Sequence, residues 1–230
     1  TRLGKLGENT PKPLIKVKDK LIIEHILEKV LDIGIDRILI ITNAKFYEQF
    51  QKWKSEYKDR DKIELINDGT TSNENRLGTL KDILLTFSKF DDDFLVVFGD
   101  GFFDFSLKEP YNFFTSKRLP TIVLYDINNH EEAKRHSIVG LNSEKQIISL
   151  VEKPENPPST LCTTGIYFLD ERSKNDIGRY LKEGKNPEGI SYFLMEIMEK
   201  RKIFGYSFNN KEYTYVDVGV LDTLEKARRA

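Results

Sequence analysis

The chain has 230 residues, 32% of them charged, and a formal net charge of −1. Its length can bury one sizeable core, and the near balance of charge argues against a general nucleic-acid or membrane binder, which carries a basic excess. A single cysteine, Cys162, excludes an internal disulfide framework and fits a reducing, cytoplasmic compartment. Three histidines weigh against a zinc site, and no apolar run reaches the roughly 18 residues of a membrane-spanning helix.

The opening stretch, T-R-L-G-K-L-G-E-N-T-P-K-P-L, sets Arg2, Lys5 and Lys12 among glycines and prolines. Composition alone leaves it either a solvated terminus or a turn-rich loop that presents cations. Residues 21 to 33 then place apolar side chains at helical spacing, with Gly34 as a stop. R-I-L-I-I-T (37 to 42) reads as a buried parallel strand, residues 44 to 57 as an amphipathic helix, 62 to 66 as a strand and 79 to 88 as a helix. D-F-L-V-V-F-G-D (93 to 100) is a further buried strand that ends in an acid. This alternation predicts an α/β fold with an open, mostly parallel sheet covered on both faces. After residue 118 the pattern shifts to T-I-V-L-Y-D, S-I-V-G-L-N, Q-I-I-S-L-V and T-G-I-Y-F-L, strands with little helix between them. That texture predicts a mixed or antiparallel part of the same domain.

Ligands of open α/β sheets bind beyond the carboxyl ends of the strands. Asp100, between Gly99 and Gly101, lies at such an end, and Asp217 in Y-V-D-V-G follows a second β-rich run. Each acid either caps its own turn or contributes to a Mg²⁺ site, since Mg²⁺ favours carboxylates together with substrate phosphates. Spacing alone does not bring them together. The cations of the opening stretch supply what phosphoryl or nucleotidyl transfer requires, positive charge around phosphorus-bound oxygens.

The order of motifs adds a resemblance. T-R-L and P-K-P-L, then R-L-G-T (76 to 79), V-V-F-G-D (96 to 100), V-E-K-P (151 to 154), T-G-I-Y-F (164 to 168) and Y-V-D-V-G (215 to 219) together resemble the sugar-phosphate nucleotidyltransferases over essentially the whole chain. The nearest kinds are the glucose-1-phosphate thymidylyl- and uridylyltransferases and the mannose-1-phosphate guanylyltransferases. The resemblance implies a Rossmann-like sheet with a nucleotide-binding half (1–118) and a small antiparallel sugar-phosphate-binding half (119–230) in a single catalytic domain. It implies a nucleoside triphosphate and a sugar 1-phosphate as substrates, with dTTP or UTP favoured and glucose 1-phosphate as the default sugar. A strand and a glycine-rich turn are expected upstream of Thr1, and the end after L-E-K-A-R-R-A suggests a catalytic core alone. Oligomeric state stays open, a homo-oligomer included.

Residue by residue, the resemblance assigns Arg2 and Lys12 to the triphosphate and the reacting phosphorus, and Gly78 and Thr79 to the nucleobase side. It makes Asp100 and Asp217 the ligands of Mg²⁺, with Asp100 also on the nucleotide. Glu152 is expected on a sugar hydroxyl, Lys153 on the sugar phosphate, and Thr164 and Gly165 along the sugar. For the glycines a plain reading also stands, Gly78 as a helix start and Gly165 as a strand bulge. The chain departs from the family pattern at Leu21 for proline, at G-D-G for G-D-N, and at R-H-S-I-V (135 to 139), where Ser137 replaces a glycine. His136 reads as an ordinary loop residue. A non-catalytic subunit that binds nucleotide-sugar is the alternative, and the retention of both acids and of Lys12 and Lys153 speaks against it. A glycosyltransferase lacks its D-x-D at a strand end here, and a dinucleotide-dependent dehydrogenase lacks a complete G-x-G-x-x-G.

Overall fold

The computed structural model of the protein describes residues 8–72, 74–209 and 211–229. P-K-P-L forms one 3₁₀ turn, Lys12–Leu14, for which the flanking prolines preset the backbone. A short hairpin, β1 (Lys16–Val17) and β2 (Lys20–Leu21), leads into α1 (Ile22–Asp32). Ile22, Ile23, Ile26, Leu27 and Val30 recur at helical spacing and are buried on one face of α1. Fully burying such a side chain contributes roughly 1.5–3 kcal/mol. The Leu21 amide donates to Glu24 Oε2 (2.9 Å) and Trp53 Nε1 to Glu24 Oε1 (3.2 Å), so one carboxylate both starts α1 and ties the next helix to it.

β3 (Ile38–Thr42), α2 (Tyr47–Glu56) and β4 (Ile63–Asn67) form a β-α-β unit with β3 and β4 parallel. Then come α3 (Thr79–Thr86), β5 (Phe94–Val97), β6 (Gly101–Phe103), α4 (Lys108–Lys117) and β7 (Thr121–Asp126). A helical turn α5 (His130–Ala133), the hairpin β8 (Ser137–Leu141) and β9 (Ile147–Glu152), and the long β10 (Leu161–Leu169) follow. α6 (Arg172–Lys182), α7 (Ile190–Met198), β11 (Phe204–Asn209), β12 (Tyr215–Asp217) and α8 (Leu221–Arg229) complete the described elements.

The main sheet runs β11-β7-β10-β8-β9, with β5 also paired to β10. Within it β5, β7, β8 and β11 point one way, and β10 and β9 the other. This is the expected α/β architecture of largely aligned strands under helices, with antiparallel β10 and the β8–β9 hairpin as its reversed part. β7 shows why both faces are covered. Its Val123 and Tyr125 pack with Ile22, Phe114 and Leu224, while Ile122 and Leu124 pack with Leu80, Ile177 and Phe193.

The sequence pattern and the fold differ in two places. β3 and β5 are half-buried along their whole length, although their apolar runs predict full burial. Among the described residues each pairs along one edge only, β3 with β4 and β5 with β10. The region after residue 118 also holds more helix than its strand-rich pattern predicts. α6, R-S-K-N-D-I-G-R-Y-L-K, is mostly polar and buries only Ser173, Ile177 and Tyr180, too narrow a stripe to dominate a sequence window. Among the described residues no helix is long and apolar enough to cross a membrane.

β10 positions the site because it changes partner along one edge. β7 follows it on one side, while on the other Ile166–Leu169 pair with β5 and Cys162 pairs with β8. The switch falls at a bulge between Thr163 and Tyr167, where Gly165 has φ +76°. A Cβ on Gly165 would lie 3.0 Å from the Phe98 ring, and the Phe98 amide donates to Gly165 O at 2.9 Å. The sheet therefore forks where β5 and β8 part, and a cavity opens in the fork.

Candidate active site

Asp100 lies just past the carboxyl end of β5 and receives Lys12 Nζ at 2.9 Å. Gly99 makes this contact sterically feasible, since a Cβ there would sit 2.8 Å from Pro13 Cγ. P-K-P-L can thus lie directly on G-D-G, with its lysine aimed at the acid. Asp217 arrives from the other end of the chain through the antiparallel β6–β12 ladder, in which it stands opposite Gly101. The Val218 amide donates to Asp100 O at 2.9 Å and locks the two strand ends together. The convergence that spacing could not establish is supplied by strand register.

The fork cavity, about 280 Å³, is lined by Asp100, Asp217, Glu152 and Lys153. Thr79, Thr164 and Gly165 also line it. Of the other described residues assigned from the motifs, Lys12 touches the cavity-lining Asp100 and Gly78 stands beside Thr79, without lining the cavity themselves. Arg2 lies outside the described residues. The Thr164 hydroxyl donates to Val123 O (2.8 Å) and is buried, which leaves this residue's backbone rather than its side chain for a ligand. Lys153 adopts φ +44°, unusual for a residue with a side chain, and its amide donates to His136 O at 3.1 Å. This turn brings Lys153 Nζ to 3.5 Å from Glu152 Oε1, although neighbours on a strand ordinarily point to opposite faces.

The R-L-G-T turn is stapled to the segment before α7. Arg76 forms a two-point ion pair with Glu188, Nε to Oε1 at 3.0 Å and Nη2 to Oε2 at 2.5 Å. The Leu80 amide donates to Pro187 O (3.0 Å) and Thr79 Oγ1 to Glu188 O (3.3 Å). Gly78, at φ +90°, permits this approach, because a Cβ would meet Pro187 O at 2.8 Å. Gly78→Ala is therefore expected to cost roughly 1–3 kcal/mol in backbone strain and to push the Pro187 segment away. A melting temperature lowered by roughly 3–10 °C checks the structural part, and weakened binding of the nucleotide that the resemblance implies checks the functional part. Wild-type values of both would refute the assignment.

The cavity has further lining residues: Arg135, His136 and Ser137 belong to the R-H-S-I-V segment noted as a departure from the family pattern, and sequence reasoning missed Ser191 and Tyr192. His136, read as an ordinary loop residue, is in the wall, and burial holds its imidazole below the usual range despite the opposing pull of Asp217. Ser191 carried no signal at all, being one hydroxyl in an apolar helix start. Cys162 is fully buried and its thiol is pushed up to about 12 by desolvation, so it is inert.

A doubly covered α/β sheet thus carries two acids at converging strand ends, a lysine on one of them and a polar cavity beyond. The chain belongs to the nucleotidyl transferase family, which matches along residues 1–230. It is 31% identical over 208 residues to the bifunctional protein GlmU of Methanocaldococcus jannaschii, covering 90% of this chain and 47% of that protein. It is 26% identical to the UTP–glucose-1-phosphate uridylyltransferase AglF of Haloferax volcanii, over 73% of this chain and 66% of that one. The chain spans about half the length of GlmU-type relatives. Among solved structures, apo UDP-glucose pyrophosphorylase superposes with a TM-score of 0.81 at 18% identity, covering 99% of this chain and 92% of that one, which is a likeness of fold.

Proposed function

We propose that this domain transfers a nucleotidyl group from a nucleoside triphosphate to a sugar 1-phosphate, releasing pyrophosphate. The observation that carries the reading is that Asp100, the ion-pair partner of Lys12, lines one cavity together with Asp217, Glu152 and Lys153. A phosphate oxygen of the sugar 1-phosphate attacks the α-phosphorus, and the bond from that phosphorus to the bridging oxygen of the departing pyrophosphate breaks. The attacking oxygen is already anionic, so no protein nucleophile is required, and the residues act by positioning and charge. Lys153 holds the sugar phosphate, Glu152 accepts a sugar hydroxyl, and Lys12, poised beside Asp100, balances charge at the reacting phosphorus. Arg2 is assigned to the triphosphate on its motif alone.

Asp100 and Asp217 fit Mg²⁺, which binds through one or two carboxylates plus substrate phosphates rather than through a full protein cage. Bound there, the ion would supply positive charge against the triphosphate. We take dTTP or UTP as the nucleotide, a choice supported on the uridine side by AglF's name.

The test is a pyrophosphate-release screen that crosses nucleoside triphosphates with sugar 1-phosphates. Activity with dTTP or UTP and glucose 1-phosphate is expected, and release with no combination would overturn the reading. In the same assay Lys12→Ala should lower kcat by roughly 10²–10³, the weight of one preorganised charge-stabilising donor. A Lys12→Ala enzyme with near-normal turnover would remove Lys12 from the mechanism.

A further inference from the structure

Resting on that reading, we infer that Ser137 and Ser191 are positioning residues that hold one oxygen of Glu152 and leave the other to read a single hydroxyl of the sugar. Ser137 begins β8 and Glu152 ends β9, and they are cross-strand partners. Ser137 Oγ donates to Glu152 Oε2 and lies 2.8 Å from Ser191 Oγ. Ser191 is the second residue of α7 and is only 7% exposed.

The polarity of this chain follows from counting protons. A carboxylate only accepts, and a serine hydroxyl carries one proton. The Ser137 proton is committed to Glu152 Oε2, so Ser191 must donate its own to Ser137 Oγ. The carboxylate is thereby fixed in rotation, with Oε2 occupied. Oε1 remains, 3.5 Å from Lys153 Nζ, and both residues line the cavity. An acceptor held in that place selects a donor, and the donor a sugar 1-phosphate can offer near its own phosphate is a ring hydroxyl.

The hydrogen-bonded trio is not anchored on the sugar side alone. Ser191 stands directly after the Pro187–Gly189 segment, which is stapled to the R-L-G-T turn through Arg76–Glu188 and the Leu80 amide. The orientation of Glu152 is therefore referenced to the nucleotide-side turn through one short stretch of backbone. Held this way, the carboxylate does not have to be ordered when substrate arrives, which favours specificity through preorganisation.

The experiment measures kcat and KM for glucose 1-phosphate and its 2-deoxy and 3-deoxy analogues, for wild type, Ser137→Ala, Ser191→Ala and Ser137→Thr. Wild type is expected to prefer glucose 1-phosphate over one deoxy analogue by tenfold or more, about the weight of one hydrogen bond to a charged group. In Ser137→Ala and Ser191→Ala that preference should collapse to about twofold, through a higher KM for glucose 1-phosphate, with the KM for the nucleoside triphosphate unchanged. Ser137→Thr keeps the hydroxyl and should restore the preference. The two alanine variants test the same chain independently, so a folding defect in one leaves the other decisive. An undiminished preference in either folded alanine variant overturns the inference while leaving the transferase reading intact. If wild type turns over none of these three, the same comparison is made on the sugar 1-phosphate that the pyrophosphate-release screen identifies and its deoxy analogues, and no release with any combination overturns both.

Discussion

Asp100→Asn is expected to reduce nucleotide-sugar formation by roughly 10³-fold or more while leaving the fold in place. Asp217→Asn should do the same, because the β6–β12 register sets the two side chains to work as a pair. The double variant should lose little beyond either single one, as expected of groups that act as a unit. The loss cannot be charged to unfolding. The Lys12–Asp100 ion pair is about a third exposed on both sides, and such pairs contribute about 0–1 kcal/mol. A melting curve within a few degrees of wild type should accompany the kinetic defect, and calorimetry should show Mg²⁺ association lost in both variants. Turnover within tenfold of wild type in either would remove that acid from the reaction.

The second large effect concerns stability. Arg201 reaches both oxygens of Asp170 (2.8 and 2.6 Å), Ser173 Oγ (2.7 Å) and Asp176 Oδ2 (2.9 Å), with its own side chain 15% exposed and that of Asp170 9%. Arg201→Ala leaves two acids close together with their shared cation gone, one of them buried. Breaking such a pair costs about 3–5 kcal/mol, which for a chain of this size lowers the melting temperature by roughly 10 °C. Arg201→Lys should recover only part of this, since an ammonium cannot serve both carboxylates and the hydroxyl in one planar fork. None of these residues lines the fork cavity, so kcat/KM measured well below the transition should stay near wild type. A melting temperature unchanged in Arg201→Ala would show that the cluster contributes nothing net.

How legible was this site in the chain itself? The order of P-K-P-L, G-D-G, E-K-P and Y-V-D-V-G carried the resemblance that pointed to both acids, both lysines and Glu152, and of these Asp100, Asp217, Glu152 and Lys153 line the fork cavity. The strands were legible where they are buried on both faces, since β7 and the second half of β10 leave the apolar runs I-V-L-Y and I-Y-F-L. What stayed hidden depends on pairing between distant segments. No local pattern says that Asp217 stands opposite Gly101, or that β10 exchanges β8 for β5 at Gly165. Ser191 joins Glu152 only because α7 packs on β9, and a lone serine has no periodicity to announce it. α6 was obscured by its polar surface, which outweighs the three side chains it buries.

The fork in the sheet also bears on how such a domain can change over generations. Its opening is made by main-chain partner exchange and by Gly165, and the β6–β12 ladder brings Asp217 to the strand end beside Asp100. On the proposed reading, the sugar-facing wall is assembled from single side chains near the starts of β8 and α7. Substitutions at those two starts can reshape the wall without disturbing the ladder that aligns the acids. Taste for a new sugar can therefore drift while the chemistry of transfer is inherited unaltered.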